Sequence, residues 1–179
     1  MTTIVRYKDK LYFDNLLLIA SHQGGTFTNA KQPKVYKHPS FNALIAISGA
    51  LEAGHFKQVE SIINQWLVDL SADIHAAINT EALTKIKPTT AITVGIYCKD
   101  FTLVINNGGD PGDKWSTFKH PTGRMMVIGS GSAALNYIDK FESMFEQDPV
   151  SVLKSLNRMD VFSSVKWNML DISKLGELA

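Results

Sequence analysis

Between Asn42 and Leu70 the hydrophobic pattern changes period once, and that change leaves the chain few folds. "NALIAISG" is a nearly unbroken apolar run bounded by Asn42 and Gly49, as expected of a strand buried on both faces. Directly after it Phe56, Val59, Ile62, Ile63, Trp66, Leu67 and Leu70 recur at three- and four-residue spacing, which predicts a long amphipathic helix. A buried strand followed by a one-sided helix calls for a sheet with helices packed on it.

The flanking sequence extends this reading. "TTIVRYKD" and "NLLLIASH" read as two early strands separated by "KDKLYFDN", and "PKVYKH" as a shorter third beginning at Pro33. A second helical stretch, from about Ala72 to Lys85, runs up to Pro88. "TTAITVGIYCKD" and "FTLVINNGG" form a hairpin turning near Lys99 and Asp100, and "NNGGDPGDKW" is loop by composition. "GRMMVIGSG" is a further strand. "SAALNYIDKFESMFEQ" and "DPVSVLKSLNRMD" read as helices, the latter with Asp148 as N-cap and Pro149 at its first position. "SVKWNML" is a closing strand. The order is strands, two helices, strands, two helices, strand. It predicts an α+β chain: one domain over 1–179, a four-layer α-β-β-α sandwich of two antiparallel sheets.

Composition narrows the function classes. Hydrophobic residues make up 45% and charged residues 20%, enough for a sizeable core. With 18 basic and 17 acidic residues and no charge run, neither nucleic acid nor an anionic membrane is the expected partner. The opening "MTTIVRYKDK" lacks the pattern of a signal peptide, and no apolar run approaches the ~20 residues of a membrane helix, so a cytoplasmic protein is expected. Cys98 stands alone, which leaves no internal disulfide, and its apolar flanks suit a buried structural thiol.

The two threonines behind Met1 point to chemistry. A small second residue permits removal of the initiator methionine, and Thr2 would then carry a free α-amine and a hydroxyl on adjacent carbons. That pair can act as base and nucleophile within one residue.

Taken together, "TTIV", "PKVYK", "ALIAISGA" and "MVIGSGSAAL" resemble the proteasome β-subunits and the bacterial HslV-type peptidase, which are N-terminal-nucleophile hydrolases. The likeness runs from Thr2 to about Trp167. Counted from Thr2, Lys34 lies 32 residues on, Gly49 47 and Ser130 128, close to the family's separations for its lysine, oxyanion glycine and active-site serine. "RMDVFSS" adds Asp160 and Ser163 in the D-x-x-S arrangement of the family's last active-site pair. Singly, each has a structural use: Lys34 as a solvated charge, Gly49 as a turn residue, Ser130 as a helix cap, Asp160 as a helix end. The ordered set carries the resemblance.

The resemblance implies a threonine peptidase with Thr2 as nucleophile. Lys34 would lower the pKa of the α-amine and stabilise a Thr2 alkoxide, and the Gly49 amide would hold the oxyanion. Ser130, Asp160 and Ser163 would orient and shuttle protons. No metal or organic cofactor is implied. The implied partners are copies of the chain in a ring-like oligomer, with the helices Ala50–Lys85 and Ser132–Gln147 as candidate ring contacts, and unfolded polypeptide as substrate. No G-x-x-x-x-G-K-[ST] loop occurs, so an ATP-dependent unfoldase would be a separate chain. One departure stands out. The family ends its second strand with an aspartate paired to the lysine, whereas "LLLIASHQGG" offers Ser21 or His22 and leaves Asp14 too early. That departure favours an alternative, an inactive proteasome-like subunit with a structural, assembly or regulatory role. An enzyme of the same fold acting on small amides is a third reading.

Overall fold

The computed structural model describes residues 3–14, 18–20, 26–28, 35–49, 51–123, 125–129, 138–159 and 167–178; for 18–20, 26–28, 138–141 and 156–159 it describes the backbone alone. The chain divides into two units, Met1–Val35 with Gly123–Ile172, and Tyr36–Thr122 with Ser173–Ala179.

The first unit is built on an antiparallel sheet of order β10-β1-β2-β11. β1 (Thr3–Tyr7) and β2 (Lys10–Asp14) form a tight hairpin whose two-residue turn puts Lys8 at φ 52°. Such left-handed turns match the twist of the strands they join. β1 also pairs with β10 (Met126–Gly129), and β2 with β11 (Trp167–Asp171). Val5, Tyr7, Met125 and Val127 lie beneath Phe145 of α2 (Ile138–Gln147) and Val152 and Leu153 of α3 (Pro149–Met159). The Phe145 ring meets Tyr7 and Tyr12 edge-on, each centroid 5.1 Å away. Asp148 caps α3, and its hydrogen bonds from the Ser151 hydroxyl and amide hold its carboxyl below the usual carboxylate range. A small ribbon pairs β3 (Leu18–Ala20) with β4 (Thr26–Thr28).

The second unit has a five-stranded sheet of order β5-β6-β7-β8-β9, in which each determined pairing is antiparallel. Its strands are β5 (Val35–Lys37), β6 (Leu44–Gly49), β7 (Ile92–Tyr97), β8 (Phe101–Asn107) and β9 (Ser116–Pro121). α1 (Ala53–Ala72) lays Val59, Ile63, Trp66, Leu67 and Leu70 on this sheet. Its N-cap, Glu52, makes no side-chain capping bond, so tertiary packing rather than capping stabilises the helix. Cys98 is buried in the same core.

The α+β class and the two antiparallel sheets match expectation, and three local readings need correction. "KDKLYFDN" is not a separator: most of it is the turn and β2, and among the described residues of the apolar run after it Leu18–Ala20 is strand. The helix expected over Ala72 to Lys85 is replaced by a short 3-10 turn, Glu81–Lys85. There Asp73 Oδ1 accepts the His75 amide, Asn79 Oδ1 accepts the Glu81 amide, and the Trp66 indole N–H donates to the Asn79 carbonyl at 2.9 Å. Short polar side chains compete with the helix for its own amides. The third correction is β9, a strand in a stretch for which sequence gave no element. The expected helix from Ser132 is described only from Ile138.

Truncating Phe145, fully buried against two tyrosines, is expected to cost about 3–5 kcal/mol in Phe145→Ala. Urea denaturation measures it; a loss below about 1 kcal/mol would contradict this core assignment.

Candidate active site at the strand ends of the first unit

Of the six residues singled out from sequence, the described structure contains Gly49. Thr2, Lys34, Ser130, Asp160 and Ser163 lie outside the described residues, as do Ser21 and His22. Described residues adjoin Thr2, Lys34, Ser130 and Asp160 in sequence: Thr3, Val35, Gly129 and Met159.

Thr3 opens β1, Asp14 closes β2, Gly129 closes β10 and Trp167 opens β11. The register pairs Thr3 with Gly129 and Trp167 with Asp14, so these four termini share one edge of the sheet. Thr2 and Ser130 are the next residues in sequence beyond the Thr3–Gly129 pair. The stretch holding Asp160 and Ser163 joins the end of α3 to Trp167.

The contact at this edge is a hydrogen bond. The β1–β2 ladder runs to Ile4 opposite Phe13, and one residue further the Thr3 amide donates to Asp14 Oδ1 at 3.1 Å. Both residues are fully buried. The carboxylate accepts the amide beside which Thr2 is joined, and a charged acceptor makes such a bond stronger than a carbonyl would.

Asp14 therefore ends the second strand. The sequence reading placed that strand one element too late, and the hairpin turn at Lys8–Asp9 corrects the assignment. The signal was present, since Leu11, Tyr12 and Phe13 form a short apolar run directly after a two-residue gap. Lys8, a residue rarely found at positive φ, hid the turn.

Gly49 lies in the second unit, at the end of β6 and four residues before α1, the strand-to-helix junction expected. Its φ of 100° suits glycine, and a Cβ there would come within 2.2 Å of the Ala91 carbonyl oxygen. The β6–β7 pairing thus excludes a side chain at Gly49 by itself.

A cleft of ≈ 1030 Å³ lies elsewhere in the second unit, between the 3-10 turn and the loop from Asn107 to Trp115. The Trp115 indole N–H donates to the Ile86 carbonyl at 2.8 Å across its floor. None of the residues singled out from sequence lines it. Among the described residues, no group of three or more His, Cys, Asp or Glu side chains could hold a metal ion, and no helix is long and apolar enough to cross a membrane.

Replacing Asp14 with alanine removes the acceptor from a buried amide, and Asp14→Ala is expected to cost about 1–3 kcal/mol. Asp14→Asn keeps an oxygen there and is expected to cost less. Equal losses in urea denaturation would show that the Thr3 bond contributes nothing of its own.

No family model matches the sequence, and no curated protein matches it. Solved structures do. HslV from Trypanosoma brucei aligns over 94% of this chain and 97% of its own, with 16% identity and a TM-score of 0.50. BPH from Thiobacillus denitrificans, in complex with Epoxomicin, aligns over 94% and 96% at 12% identity and a TM-score of 0.46. Anbu from Yersinia bercovieri aligns over 100% and 86% at 12% identity and a TM-score of 0.46. At these identities a likeness speaks to fold, and of these three the HslV match reaches a TM-score of 0.50. The chain has the fold of HslV.

Proposed function

We propose that the protein is a threonine-type peptidase of the proteasome and HslV family, hydrolysing peptide bonds with Thr2 after removal of Met1. The observation that carries this reading is the buried bond from the Thr3 amide to Asp14 beside the Thr3–Gly129 pair. It supplies a carboxylate at the end of the second strand, next to the residue that bears Thr2. The apparent lack of such a carboxylate was one sequence argument for an inactive subunit, and Asp14 weighs against that argument.

In the proposed reaction the neutral α-amine of Thr2 takes the hydroxyl proton, directly or through a water, as Oγ attacks the substrate carbonyl carbon. An α-amine has a reference pKa of about 7.7–8.0, so a usable fraction is neutral near pH 7. Lys34 stabilises the alkoxide, with Asp14 as its counter-charge, and the Gly49 amide donates to the oxyanion; one such donor is typically worth about 3 kcal/mol. Collapse breaks the C–N bond, the departing nitrogen takes the proton, and an ester to Thr2 remains. Water hydrolyses that ester and restores the hydroxyl. Ser130, Asp160 and Ser163 orient the amine and relay protons. No step calls for a metal or an organic cofactor.

Enclosure belongs to the same proposal. An open site of this kind would cut proteins indiscriminately, so the chain works as a ring-like homo-oligomer on unfolded polypeptide, fed by a separate ATP-dependent unfoldase. It acts in the cytoplasm.

Hydrolysis of fluorogenic peptides by the assembled protein tests this. Thr2→Ala is expected to lose about 10³-fold or more in kcat, and Asp14→Asn and Lys34→Ala at least tenfold, with thermal midpoints little changed for Thr2→Ala. Full activity in Thr2→Ala contradicts the reading.

A further inference from the structure

We propose that His38 is an acid-sensitive clasp: its neutral ring holds the β5–β6 connection onto helix α1, and protonation of Nδ1 releases that connection. The inference stands apart from the peptidase reading, because all its groups lie in the second unit and none is assigned a part in the reaction.

The hydrogen bonds fix the tautomer. Nδ1 of His38 accepts the amide N–H of Ser40 at 3.1 Å and that of Phe41 at 3.2 Å. A ring nitrogen that accepts two N–H groups carries a lone pair, so the ring proton sits on Nε2. Nε2–H in turn donates to Asn64 Oδ1, in the middle of α1, at 2.6 Å. The ring is 7% exposed and lies 5.2 Å from the Phe41 ring. Around it the backbone closes: the His38 amide donates to the Ala43 carbonyl, and Ala43 to the Phe41 carbonyl, both at 2.8 Å. A single side chain thus caps its own turn at the second and third residues on, as an Asx turn does, and ties that turn to the helix.

A proton on Nδ1 reverses this nitrogen from acceptor to donor while two donors still face it. The Ser40 and Phe41 amides, exposed and half-buried respectively, lose their acceptor, and the turn loses its hold on the ring, whose Nε2–H still donates to Asn64. Other charges on the elements packed here are Lys37, the preceding residue at the end of β5, Lys57 and Glu60 on the turns of α1 before Asn64, and Glu177 in the tail, whose carbonyl takes the Asn42 side-chain amide. The two amide N–H groups face Nδ1 at contact distance.

His38→Asn separates capping from titration, because asparagine can accept the same two amides and has no proton to gain. Amide exchange of Ser40 and Phe41 is followed by NMR, corrected for intrinsic rates. From about pH 7.5 to about pH 5, protection in the wild-type chain is expected to fall about tenfold or more, and in His38→Asn to stay within about twofold. Parallel behaviour in the two proteins overturns the clasp. Should the variant fail to fold, nitrogen-15 correlation of the wild-type ring decides: Nε2–H with a bare Nδ1 near neutral pH supports the clasp, and a protonated Nδ1 there overturns it.

Discussion

A buried carboxylate accepting one backbone amide governs the account of the first unit. The antiparallel ladder of β1 and β2 would ordinarily continue by carbonyl acceptance, yet at Thr3 the acceptor is the Asp14 side chain. Since Thr3 is also in register with Gly129, the start of β1 is held from both neighbouring strands. A chain end fixed in this way is pre-organised, and pre-organisation is what a nucleophile at a terminus needs most. Ordinary N-termini are free to fray.

Each unit is held by contacts of its own. In the first, Phe145 wedges between Tyr7 and Tyr12 and seats α2 on the strands that carry Thr3 and Asp14. An ion pair between Lys8 and Glu146 ties the hairpin turn to the end of the same helix, and the Glu146 carboxylate holds the Lys8 ammonium above the usual lysine range. Both partners are exposed, so the pair guides geometry more than it adds stability. In the second unit, α1 has no N-terminal side-chain cap and relies on its apolar face. Gly49 is required there by close strand approach, which gives the position a structural reason alongside its proposed part in the reaction.

Where hydrophobic period was long and clean, the sequence could be read. β6, α1 and the β7–β8 hairpin follow from the run at "ALIAISG", the spacing from Val59 to Leu70, and the paired apolar stretches on either side of Lys99. Capping chemistry was equally plain at Asp148 and Pro149. Failures came where a short polar contact overrules pattern. Lys8 at positive φ makes a turn that carries no Asn-Gly signature, and missing it shifted the second strand and hid Asp14. Asp73 and Asn79 divert amides from a helix that spacing alone supports. Of the candidate site, the proposed set of Thr2 and its partners rests on separations along the chain. The place of Asp14 at the end of β2 was not legible, because it depends on strand register, which the turn determines.

The central claim is that Thr2 is a free, working nucleophile. The most direct measurement is the intact mass of the purified protein before and after incubation with a peptide epoxyketone, a warhead that closes its ring on a hydroxyl and an adjacent free amine. The account predicts a mass lacking Met1, one adduct per chain, and no adduct in Thr2→Ala. A chain that retains Met1, or a free Thr2 that never reacts, would contradict it.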